Sequence, residues 1–139
     1  MPHSNSITVL AEALHPFLCS SSHGGLDSDW VHVAGALDIA TTPQLERTLR
    51  ESHARLVVLD MRDLEFMDCS GVHTIVNASA VARRDGRRLV LLRGIPHVDN
   101  LFALTGSAAE VEIREIDPDE PLLAHSAPVL RIAEEALVP

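Results

Sequence analysis

Two uninterrupted apolar runs, Leu56-Val57-Val58-Leu59 and Leu89-Val90-Leu91-Leu92, constrain what this chain can fold into more than any other feature. Each is too short for an ordinary helix, and no polar residue alternates within it. Each therefore reads as a strand covered on both faces, the mark of a parallel sheet. About thirty residues separate the runs, the size of a strand–helix–strand unit. Between them Val72, Ile75, Val76 and Ala80 recur at helical spacing, and Gly86 is placed to stop that helix. Parallel strands joined this way cross over in the right-handed sense.

Weaker signals flank this unit. Pro16 precedes Phe17-Leu18-Cys19, a short strand that the turn-rich Ser20-Ser21-Ser22-His23-Gly24-Gly25 should close. Trp30-Val31-His32-Val33-Ala34 alternates as a strand and is expected to end at Gly35. Thr41-Thr42-Pro43 opens a helix, with a threonine hydroxyl expected to cap it and proline in its first turn. Leu45 and Leu49 lie one turn apart on the face of that helix that meets the sheet. A short helix over Val98 to Leu104 ends at Gly106, and Val111-Glu112-Ile113-Arg114 forms an outer strand. Beyond Pro118 a tail carries helical pattern around Leu130, Ile132, Ala133 and Leu137, interrupted by Pro121 and Pro128. The sum is an α/β domain with a mixed, mostly parallel sheet of about five strands and helices packed on it. Residues 1–15 read as a leader, in which Ile7-Thr8-Val9-Leu10 suits an added strand or a packed tail. Residues 16–139 read as one domain that includes the C-terminal helical tail.

A chain of 139 residues suffices for a real core. With 20 acidic against 11 basic residues, the net charge of −9 disfavours nucleic acid and anionic membrane as partners. The one basic cluster, Arg83, Arg84, Arg87 and Arg88, reads as a solvated helix end. Two cysteines do not make a disulfide framework, and no stretch approaches a membrane span. The first residues lack the pattern of a secretory signal, so the expected location is the cytoplasm. There is no phosphate-binding glycine loop, H-E-x-x-H, C-x-x-C or G-x-S-x-G motif, and the eight histidines show no local ligand spacing. Catalysis, a cofactor and a bound metal are therefore not expected.

The segment from Arg62 to Val72 stands out. It places Asp68, Cys69, Ser70 and Gly71 where the central helix begins. Outward-pointing N–H groups and the helix dipole there suit a carboxylate cap, a phosphate or a thiolate. Capping alone, by Asp68 or Ser70, also accounts for these residue types.

Asp68-Cys69-Ser70-Gly71, preceded by Leu64-Glu65-Phe66-Met67, resembles the signature of STAS domains of the anti-sigma factor antagonist type, in which Asp-Ser-Ser-Gly or Asp-Thr-Ser-Gly opens a helix. Gly35-Ala36-Leu37-Asp38, with Thr41 following, resembles the family's Gly-Glu-Leu-Asp. Gly86-Arg87-Arg88-Leu89-Val90-Leu91 and Leu101-Phe102-Ala103-Leu104-Thr105-Gly106 resemble its later strand and short helix. The resemblance covers residues 15 to 116 in order. It implies binding to an anti-sigma factor with a serine kinase fold, release of the sigma factor, and a contact surface including Asp38, Thr41, Asp68, Cys69, Ser70 and Gly71. It also leaves room for another assembly: a stress-sensing complex, or the cytosolic part of a lipid or anion transport system. It implies nothing about oligomeric state.

The family's phospho-acceptor follows the aspartate, and here that position is Cys69, which a serine kinase cannot phosphorylate. Three consequences are open: regulation placed elsewhere, Ser70 as a displaced acceptor, or redox sensing by a thiol at a helix start. Cys69 as a catalytic nucleophile would need a base, and His73, one turn on, is expected to point along the helix and away from the thiol.

Overall fold

The two apolar runs form neighbouring central strands of a single sheet. The structure, a computed structural model, describes residues 15–115. Its elements in chain order are β1 (Leu18–His23), β2 (Ser28–Leu37), α1 (Thr42–Glu51), β3 (Leu56–Met67), α2 (Cys69–Arg84), β4 (Arg88–Leu92), α3 (Pro96–Leu104), a 3-10 turn (Ala108–Glu110) and β5 (Glu112–Arg114). The strands lie side by side in sequence order. β1 runs antiparallel to β2, and β2 through β5 are parallel.

Alternation along β3 and β4 builds two apolar layers. Val57, Leu59, Met61, Leu89 and Leu91 turn toward the helices and meet Leu45 and Leu49 of α1, Val72 and Ile75 of α2, and Val98 and Phe102 of α3. Leu56, Val58, Val90 and Leu92 turn to the opposite face, where Trp30 packs against them, and all four are at most 2% exposed. At about 1.5–3 kcal/mol per buried large side chain, that second layer contributes roughly 6–12 kcal/mol, as much as the net stability of a typical domain.

Several elements differ from the sequence expectation. β1 continues through the three serines to His23. They occupy an edge strand whose backbone pairs with β2, Ser20 opposite His32 and Ser22 opposite Trp30, so ladder pairing outweighs turn composition. The turn falls later, at Gly24 to Asp27, with Leu26 and Asp27 in the left-handed region. β2 does not stop at Gly35. It passes through it to Leu37 with a bulge, Gly35 at φ +83°, and an added Cβ there would lie 2.5 Å from the carbonyl oxygen of Pro16. β3 runs to Met67, so Arg62 to Met67 is strand and not the connection to the helix. On α2 the inward face follows Val72, Ile75, Ser79 and Ala82. Ser79 is 2% exposed while Ala80 faces solvent. The leader strand at Ile7–Leu10 and the helical tail beyond Pro118 lie outside the described residues.

Asp60 shows why β3 tolerates charge. Its side chain is buried on the face opposite the helices, where Arg62, two residues on, grips both carboxylate oxygens at 2.9 Å. Burial disfavours the ionised carboxylate, but the hydrogen bonds and charge of Arg62 outweigh it and hold Asp60 below the usual carboxylate range.

Candidate partner-binding site

Parallel strands that feed helices place their connections at one end of the sheet. The register sets Leu37 of β2 beside Met67 of β3, and the Asp68 amide donates to the Leu37 carbonyl at 3.2 Å. The Asp38–Thr41 loop and the start of α2 are thereby neighbours, and the sequence-predicted residues 38, 41 and 68–71 lie together at this end of the sheet, Gly71 among them buried.

Each of these segments is closed by its own hydrogen bonds. One Asp38 carboxylate oxygen accepts from the amides of Ala40 at 2.9 Å and Thr41 at 3.2 Å. The Thr41 hydroxyl accepts from the Asp38 amide at 2.9 Å and donates to the Ala36 carbonyl at 3.0 Å. That hydroxyl does not cap α1, contrary to the expectation from Thr41-Thr42-Pro43, because it is spent closing the turn before the helix. Asp38 and Thr41 thus shape the loop, while Ile39 between them is 78% exposed. Sequence reasoning passed over Ile39. The available signal was an apolar residue held inside a turn by Asp38 and Thr41, where it cannot fold inward.

At α2, Asp68 is the N-cap. Its carboxylate accepts from the amides of Ser70 at 2.9 Å and Gly71 at 3.3 Å, and from the Ser70 hydroxyl. The capping falls to Asp68, and Ser70 contributes by donating to the cap. Gly71 is buried against the strand ends. A Cβ there would lie 2.6 Å from Met67 Cγ, so glycine lets the first turn of α2 sit down on Met67 and Leu37. Cys69, the first residue of the helix, is exposed and a free thiol. It is the side chain the cap presents outward.

The nearby histidine turns elsewhere: the His73 ring lies 3.1 Å from the Asn77 amide nitrogen, one turn further along α2. The second cysteine, Cys19, is half-buried on β1, and its thiol donates to the Thr48 hydroxyl of α1 at 3.5 Å. Burial pushes the Cys19 thiol up despite that hydrogen bond. Among the described residues no group of three or more His, Cys, Asp and Glu could hold a metal, and no helix is long and apolar enough to cross a membrane. A concavity of about 600 Å³ lies between α1 and α2 and is lined by Leu49, Val81, His53 and His73 among others.

A capped helix start beside a hydrogen-bonded loop, at the carboxyl end of a mixed five-stranded sheet, is the arrangement of an α/β domain. The STAS domain family model matches residues 27–131, and the chain belongs to that family. An anti-sigma-B factor antagonist from Staphylococcus aureus is 26% identical over 88 residues, 61% of this chain and 82% of that protein. Among solved structures, the anti-sigma factor antagonist SpoIIAA in its unphosphorylated form superposes with a TM-score of 0.66 at 16% identity, over 88% of this chain and 100% of that one. The murine anion transporter Slc26a9 contains the same fold, with a TM-score of 0.67 at 14% identity, over 95% of this chain and 24% of that one. These two superpositions concern the fold alone.

Proposed function

We propose that this chain is an anti-sigma factor antagonist, which binds an anti-sigma factor of serine kinase fold and thereby frees a sigma factor. The observation that carries the reading is the similarity to the Staphylococcus aureus antagonist across most of that protein's length. The contact surface is the Asp38–Thr41 loop with the start of α2, where Asp68, Ser70 and Gly71 hold Cys69 and its surroundings in place. The net charge of −9 suits a protein partner and not a phosphate backbone.

Cys69 alters the regulation. Where relatives of this type carry a hydroxyl, a phosphate would bring a near-dianion to the interface and oppose rebinding through repulsion and desolvation. A thiol offers the kinase no acceptor, and the Ser70 hydroxyl is engaged by the Asp68 carboxylate. In this reading the chain stays competent to bind in the presence of ATP. Affinity capture from native lysate, with ATP or ADP added and bound proteins identified by mass spectrometry, tests the proposal. Recovery of a kinase-fold anti-sigma factor under both nucleotides is expected. Recovery of transporter or stress-complex subunits in its place would overturn it.

A further inference from the structure

Turns ordinarily go to glycine, proline, asparagine, aspartate and serine, which suit a tight backbone or bond to it. The turn after β2 instead holds Ile39, a β-branched aliphatic side chain that is 78% exposed. A lone exposed aliphatic residue is ordinary on a protein surface, so exposure alone decides nothing. Three further features set Ile39 apart. It joins neither apolar layer of the sheet. The residues on either side spend their polar atoms inside the loop: Asp38 Oδ1 accepts from the Ala40 and Thr41 amides, and the Thr41 hydroxyl accepts from the Asp38 amide and donates to the Ala36 carbonyl. Its own carbonyl accepts from the Thr42 hydroxyl at 3.4 Å, which ties the turn to the start of α1. Last, it follows β2 at the carboxyl end of the sheet, where the hydrogen bond from Asp68 to Leu37 brings the start of α2 and exposed Cys69 alongside. Leu104, 80% exposed, is at the other end, because α3 runs back from the end of β4 to the start of β5.

We propose that Ile39 is the apolar anchor of the contact surface, seated in an apolar socket of the anti-sigma factor, and that Asp38 and Thr41 are positioning residues that act through it. The inference rests on the reading of this chain as an anti-sigma factor antagonist. Isoleucine is stiff at its first side-chain torsion, so its burial at an interface removes water from a large apolar surface at little cost in rotamer freedom. It also selects the partner. A surface that meets Ile39 with a charged or strongly hydrated group would have to desolvate that group without pairing it, which disfavours the complex.

The test measures binding of the full chain to the purified anti-sigma factor of serine kinase fold, with ADP, by isothermal titration calorimetry. Ile39→Ala is expected to weaken binding by about tenfold or more and Ile39→Asp further, the loss typical of a buried anchor. Both variants should melt with the unsubstituted chain, since the side chain packs on neither layer. Thr41→Val should weaken binding in the parent chain yet change it little in an Ile39→Ala background, and Thr41→Ser should restore affinity. An equal cost of Thr41→Val in both backgrounds would overturn its positioning role. Ile39→Ala and Ile39→Asp binding as tightly as the unsubstituted chain would overturn the anchor while leaving the antagonist reading intact. An unsubstituted chain that binds no such anti-sigma factor would overturn that reading and the anchor with it.

Discussion

Replacing Asp68 by alanine removes the group that organises the start of α2, and the structure sets the size of the effect. The carboxylate satisfies two backbone amides, Ser70 and Gly71, which would otherwise face the helix end unpartnered. It also accepts the Ser70 hydroxyl. Loss of an N-cap side chain costs about 0.5–2 kcal/mol, and an aspartate with these three contacts belongs in the upper half of that range. For a domain of this size each kcal/mol lowers the melting temperature by about 4–8 °C. Asp68→Ala is therefore expected to lower the urea midpoint and the melting temperature with an unchanged denaturant slope. Asp68→Asn keeps an acceptor oxygen and should lose only a few tenths of a kcal/mol, about the smallest effect expected of a good cap. Equal losses in the two variants would show that charge and not hydrogen bonding does the work. No loss in Asp68→Ala would refute the capping argument outright.

Gly71→Ala forces a Cβ to within 2.6 Å of Met67 Cγ and 3.1 Å of Leu37 Cδ2, where Met67 and Leu37 are themselves buried. Overpacking of about 1–3 kcal/mol should outweigh the gain in helix propensity of about 1 kcal/mol, giving net destabilisation in urea titration, and a stabilised variant would contradict the packing. Asp60 is held below its unfolded value, so its contribution is present above about pH 4 and is lost as pH falls through its folded value. Asp60→Asn should accordingly flatten the acid limb of a stability–pH profile taken from pH 7 downward, and an unchanged limb would refute the assignment. A thiol-alkylating probe should label exposed Cys69 before half-buried Cys19, whose thiol is pushed up by burial. The reverse order, read by mass spectrometry, would contradict the exposure of the helix start.

The strand–helix–strand unit was legible because two apolar runs and a helical stripe leave few alternatives. The positions of Asp68 through Gly71 were legible because capping chemistry is local. The length of β3 was not: Arg62, Asp63 and Glu65 read as loop residues, and only the pairing of β2 through Leu37 with Met67, together with the Asp60–Arg62 bridge, makes strand of them. The serines of β1 hid in the same way, since an edge strand is held by its backbone and not by burying side chains. Ser79 was missed because the apolar pattern favoured Ala80, one residue off the true inner face. Asp38 and Thr41 were found as a pair, but their hydrogen bonding to each other could not be read from spacing alone.

The central claim, antagonism that ATP does not switch off at position 69, is tested most directly by displacement. A complex of a kinase-type anti-sigma factor with its labelled sigma factor would be mixed with this chain and ATP, and sigma release followed by fluorescence anisotropy. The account predicts release that persists with time, whereas the Cys69→Ser variant releases sigma and then loses the partner as it becomes phosphorylated. Absence of release by the unmodified chain, with or without ATP, would contradict it.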